Sequence, residues 1–306
     1  MTIRCASEFY AAGCRHKDLE GFSFDLTGRA KTTGHRYSLR ILREEQMSSN
    51  ELLVEDIGRV RRITFNRPEK RNPLSYAVAD RLHELLLRSA ADDSVVAVIL
   101  TGNGNTFCVG GDQRDFREGL QQSSSEVLSN YPPMKLFKLA QNYRKPLITA
   151  INGAAFGGGF GLTCVSHIAI ASDNAKFGIP EIKLGIFPLT VLPVIRPVLG
   201  ERRTLELSLT GRHMDAAEAH SVGVVAKVVA PDDLQEHALQ VANEVGSYSP
   251  LAIRLGLEGM QTSTNMSFHE AMEYLNTLRT VFFNSEDLNE GANAFLEKRK
   301  PVWKGR

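Results

Sequence analysis

INGAAFGGGFGLTCVS, residues 151–166, runs from the end of an apolar strand through Gly157-Gly158-Gly159 into an apolar stretch of helical character. Glycines at such a junction let backbone N–H groups approach a ligand closely. A helix that starts there leaves its first-turn amides without partners inside the helix, and the helix dipole adds to their preference for negative charge. The triplet also suits close packing of a helix on a sheet, so its neighbours must decide between the two readings.

Two neighbours carry the same kind of signal. TFCVGGDQRDF (106–116) sets Gly110-Gly111 directly after the buried strand SVVAVILTG and its Gly102–Asn105 turn. KFGIPEIKLGIFP (176–188) sets Glu181 among Phe177, Ile179, Pro180, Ile182, Leu184 and Ile186. A carboxylate in such surroundings is desolvated and becomes a stronger base than a free glutamate; the bland alternative is an acid that accepts backbone hydrogen bonds. Cys108 has no His that can be paired with it from sequence, which favours a small buried hydrophobe over a nucleophile. Ser166-His167 reads as a helix-to-strand junction, and His213, His220 and His237 as surface positions of helices. AAFGGGFG does not give GxGxxG directly after a strand with an acid about 20 residues on, so a dinucleotide fingerprint is excluded.

Strands and helices alternate around these segments. RVRRITFNRP is a strand ended by Pro68; Ser75 is a plausible N-cap for a helix bearing Val78, Leu82, Leu85 and Leu86, stopped at Asp92-Asp93. LITAING, HIAIAS and GVVAKVVA are further strands, and helices are expected over 234–245, 251–260, 268–283 and 286–298. The order predicts an α/β fold with a helical C-terminal segment. Residues 1–46 show no sustained apolar period and are expected to be poorly ordered, with Met47 as the natural start and a transit peptide as the rival explanation. The expected organisation is therefore an extension (1–46), a core (47–248) and a helical C-terminal region (249–306).

With 36 basic against 35 acidic residues, the net charge of +1 gives no signal for nucleic acid or an anionic membrane, and small-molecule partners become the default. The four cysteines form no CxxC pair, so neither a disulfide framework nor a metal site is indicated, and a reducing, cytoplasmic compartment is the simplest expectation. No apolar run approaches the roughly 18 residues of a membrane span.

Taken together and in this order, the three segments resemble the enoyl-CoA hydratase/isomerase, or crotonase, family, over roughly Glu51 to Arg306. The resemblance implies a spiral of ββα repeats with a C-terminal helical region that trimerises, commonly into a hexamer of two trimers. It implies an acyl-CoA thioester as substrate, with CoA part of that substrate and no separate cofactor. The backbone N–H groups of Gly111 and Gly158 would form an oxyanion hole, each donor worth about 100- to 1000-fold in rate, and Glu181 would be the acid/base. In RPEKRNPLS, the residues Arg71, Asn72 and Leu74 are the expected CoA contacts; Asp112 and Gln113 would line the same channel, and Lys298 in FLEKRKPVW would lie near the CoA phosphates or only solvate the last helix. The acyl pocket is expected from segments 121–143 and 189–194. One departure stands out: Gly161 occupies the position of the first of two glutamates in typical hydratases. That leaves isomerisation of 3-enoyl to 2-enoyl thioesters and single-acid hydration as equal readings, with other thioester chemistry (hydrolase, decarboxylase, dehalogenase) or a non-catalytic CoA-binding scaffold as rivals.

Overall fold

A computed structural model describes residues 50–119, 121, 123, 125 and 131–306. The expectations for residues 1–46 and for Met47 lie outside the described residues. In chain order, β1 (Leu52–Ile57) and β2 (Val60–Phe65) form a hairpin around Gly58, whose φ of +62° suits the tight turn. They are followed by α1 (Tyr76–Ala91), β3 (Ala97–Gly102), β4 (Thr106–Cys108), α2 (Gln113–Gly119), α3 (Pro132–Gln141), β5 (Leu147–Ile151), β6 (Ala154–Phe156) and α4 (Gly158–Val165). Then come β7 (Ile168–Ser172), β8 (Lys176–Gly178), a 3-10 turn (Pro180–Leu184), α5 (Leu192–Leu199), α6 (Glu201–Thr210), β9 (His213–Asp215), α7 (Ala216–Ser221) and β10 (Lys227–Val229). Four helices close the chain: α8 (Leu234–Gly246), α9 (Pro250–Ser263), α10 (Phe268–Phe283) and α11 (Glu286–Leu296).

The strands form two sheets. One has the order β1-β2-β3-β5-β7-β10, parallel from β2 onward; the other is β4-β6-β8-β9, parallel over its first three strands. Three times, a strand of the first sheet passes through a short turn into a strand of the second: β3 to β4, β5 to β6, and β7 to β8. A helical segment then leads back, so the unit is strand, strand, helix, repeated as a spiral. Strands buried on both faces explain the unbroken apolar runs in the sequence. In β3, Val98 and Leu100 join the large core with α1 and α3, while Ala97 and Ile99 face Leu234, Ala238 and Ala242 of α8.

Local chemistry sets the helix limits. Ser75 caps α1, its Oγ accepting from the Val78 N–H, and α1 buries Val78, Leu82, Leu85 and Leu86, each worth roughly 1.5–3 kcal/mol. GVVAKVVA is a strand only at Lys227–Val229, because the N–H groups of Val224 and Val225 turn back to the Ala219 carbonyl and close α7. His213 belongs to β9 rather than to a helix, and its ring stacks on Phe156 with centroids 4.3 Å apart. The last helix ends at Leu296, short of the expected Lys298, which adopts φ +54°. Beyond it the tail is tied down by buried Asp287, which accepts from the N–H groups of Lys304 and Gly305 and from the Ser249 hydroxyl. Among the described residues, no helix is long and apolar enough to cross a membrane.

Candidate active site

The carboxyl ends of β4, β6 and β8 lie side by side because these strands are parallel, and each is followed at once by one of the three segments singled out above. Crevices at such strand ends are a common place for ligands. Gly110-Gly111 follow β4, Gly157-Gly158 follow β6, and Glu181 follows β8. Gly111, Gly158 and Glu181 line one cavity with Leu74, Tyr131, Pro133 and Phe137, and its remaining wall comes from the 186–191 segment.

Among the described residues, two backbone donors are left open there. Leu74 pairs with Gly111 in a parallel bridge, and the bond is made by the Leu74 N–H to the Gly110 carbonyl at 2.7 Å. In a parallel bridge only one of the facing residues bonds across, so the N–H of Gly111 turns away from Leu74. Gly158 is the first residue of α4, and its N–H is one of the orphan donors of a helix start. The two glycine segments touch: a Cβ on Gly110 would stand 3.0 Å from the Gly158 nitrogen.

The triplet divides its labour. A Cβ on Gly159 would stand 2.1 Å from the Cys108 carbonyl oxygen, so this glycine serves helix-on-sheet packing. Gly157, at φ +49°, would place a Cβ 2.6 Å from Glu181 Oε1, so its lack of a side chain makes room for the carboxylate. Glu181 Oε2 is buried and has no hydrogen-bond partner among the described residues. Burial pushes the Glu181 carboxyl above its ordinary value, opposed only by its own backbone N–H. An acid with one oxygen free, in one cavity with two amides that have no partner among the described residues, can take a proton from a group whose new negative charge the amides hold.

Of the other expected contacts, only Leu74 reaches the cavity. Asn72 is buried with φ +53°, and its side chain closes the loop: Nδ2 donates to the Asn103 and Thr106 carbonyls (3.0 and 2.7 Å) and Oδ1 accepts from the Arg67 N–H at 2.8 Å. Both Nδ2 hydrogens are thus engaged within the protein. Arg71 is exposed and caps the preceding 3-10 turn. Asp112 is buried in an ion network, 3.3 Å from Arg67 Nη1 and 3.1 Å from Arg114 Nη2. Burial raises its carboxyl but is outweighed by Arg114 and Arg67, which together hold it below the usual range. Gln113 is exposed at the start of α2, and Lys298 is exposed past α11; neither lines the cavity.

Cys108 is a buried hydrophobe, its thiol pushed up to about 12 by burial. His167 sits at the α4–β7 junction, where its Nδ1 accepts from the Leu147 N–H at 2.9 Å. Tyr131 and Phe137 were foreseeable only as members of a segment. Phe137 shares its helix face with Pro133, Leu136 and Ala140, and such an apolar stripe reads as core.

The enoyl-CoA hydratase/isomerase family model matches residues 56–306. A probable enoyl-CoA hydratase of Rhizobium meliloti is 38% identical over 263 residues, covering 85% of this chain and all of that protein. The 2,3-dehydroadipyl-CoA hydratase of Escherichia coli is 34% identical over 259 residues, covering 84% of this chain and all of its own length. Among solved structures, an enoyl-CoA hydratase subunit from Geobacillus kaustophilus superposes with a TM-score of 0.78 at 31% identity, covering 84% of this chain and 98% of that one.

Proposed function

Because the chain belongs to the enoyl-CoA hydratase/isomerase family, we propose that it binds an enoyl-CoA thioester with the carbonyl on the N–H groups of Gly111 and Gly158 and moves protons with Glu181. The carrying observation is the buried, unpartnered Oε2 of Glu181 in one cavity with those two amides. Removing a proton from C2 of a thioester puts charge on the carbonyl oxygen, and preorganised donors lower that barrier. Glu181 then returns the proton at C4, converting a 3-enoyl to a 2-enoyl thioester. In the alternative, hydration, Glu181 takes a proton from water as its oxygen attacks C3 and delivers the proton to C2.

The single acid favours isomerisation. Glu181 is the only carboxylate among the described lining residues, and at Gly161 a Cβ would stand 2.9 Å from two carbons of the Phe137 ring, so a second acid there would require the ring to shift. The names of the relatives favour hydration. Ultraviolet absorbance of the conjugated thioester separates the two. A rise from 3-enoyl-CoA, abolished in Glu181→Gln, supports the isomerase; a fall from 2-enoyl-CoA supports the hydratase; silence in both sinks the proposal in favour of other thioester chemistry or a scaffold.

We also propose a homotrimer or hexamer assembled through the C-terminal helices, with the Arg71 loop at the adenine end of CoA and Lys298 near its phosphates. What supports the assembly is the apolar surface these helices leave exposed, including Met260, Phe268, Phe283 and Phe295, while α10 has no buried residue.

A further inference from the structure

The cavity is open at one end and closed at the other. Leu189 and Ile186 are exposed (71% and 43%), whereas Phe137 and Val191 are almost wholly buried (5% and 3%) although both line it. Phe137 stands one helical turn after Pro133, and both face the cavity from α3. Behind the ring is Gly161 of α4: a Cβ built there would lie 2.9 Å from Phe137 Cε1 and Cζ and 3.0 Å from Val191 Cγ1. Ring and valine methyl thus occupy the volume that a side chain at 161 would fill.

We infer that Phe137, seated on Gly161, is the end wall of the acyl site and limits this enzyme to short or compact acyl groups. This rests on the proposed acyl-CoA chemistry. A thioester whose carbonyl sits on Gly111 and Gly158 has its acyl chain directed along the apolar cavity, and the first rigid obstacle is the Phe137 ring. Close-packed interiors yield little to an added methylene. Shortening residue 137 opens a space bounded by Gly161, whereas a methyl at 161 drives the ring into the cavity.

The test measures kcat/KM for butenoyl-, hexenoyl-, octenoyl- and decenoyl-CoA, together with Kd for the matching saturated acyl-CoAs, in the wild type, Phe137→Leu, Phe137→Ala and Gly161→Ala. The wild type should lose about tenfold or more for each lengthening past the filled cavity. Phe137→Ala should move that cut-off to longer chains, with Phe137→Leu between, and Gly161→Ala should move it to shorter ones. Phe137→Leu keeps the test alive if Phe137→Ala does not fold, and a melting curve shows which variants did. A wild type without length preference, or folded Phe137 variants with an unmoved cut-off, overturns the inference. A wild type that binds the acyl-CoA series in a length-dependent way but turns none over overturns the proposed chemistry, and the Kd cut-offs then decide the wall by themselves.

Discussion

Glu181 shows how a site is made by what is missing beside it. The carboxylate fits because Gly157 has no side chain, and Gly157 tolerates its positive φ for the same reason. Gly157→Ala should therefore cost about 1–3 kcal/mol of stability yet displace the carboxylate enough to lower kcat by about 100-fold; melting curves against steady-state rates check the disproportion. The raised carboxyl has two further consequences. In the proposed role of base, Glu181 would work only when ionised, so kcat/KM should fall on acidification at a pH above the ordinary glutamate value of 4.5, and that limb should vanish in Glu181→Gln. As a stability matter, the folded state disfavours the charged form, so the destabilisation is present at neutral pH and relieved as pH falls through the raised value. Glu181→Gln should accordingly melt higher than the wild type at pH 7, checked by calorimetry. Glu181 was legible because its apolar frame is contiguous in sequence. The task of Asn72 was not, since the carbonyls it binds, those of Asn103 and Thr106, come from a distant turn.

At the level of elements, the long strands and helices were readable from apolar period, whereas the second sheet was not. Its strands Thr106–Cys108, Ala154–Phe156, Lys176–Gly178 and His213–Asp215 are too short to show alternation, and only pairing between them makes them strands. The glycine runs marked their ends without revealing the strands. The α4–β7 junction carries a measurable liability. His167 Nδ1 is held by the Leu147 N–H, its Nε2 is buried without a partner among the described residues, and burial lowers the group from 6.5 to about 4. Its folded-state value lies below the unfolded one, so stability is full above about 6.5 and is lost as pH falls toward 4. The loss should total roughly 3 kcal/mol, seen as a falling denaturant midpoint across that window and flattened in His167→Gln.

For the molecule as a whole, the exposed apolar surface of the C-terminal helices is the feature that the proposed assembly would cover. Phe268 and Phe295 are 74% and 83% exposed, and patches of this kind mark interaction sites. Light scattering on the wild type should give a mass of three or six chains, and Phe268→Glu with Phe283→Glu should shift it to one; a monomeric wild type would refute the proposed assembly. The spiral arrangement has a separate consequence for how the protein comes to life on the ribosome. Its strand–strand–helix units stack in the order in which they are synthesised, and the first supplies Gly111, the second Gly158 and the third Glu181. On the proposed chemistry, an emerging chain would complete its pair of amide donors before it has made its base, and no nascent form would turn over a thioester until the third unit has docked.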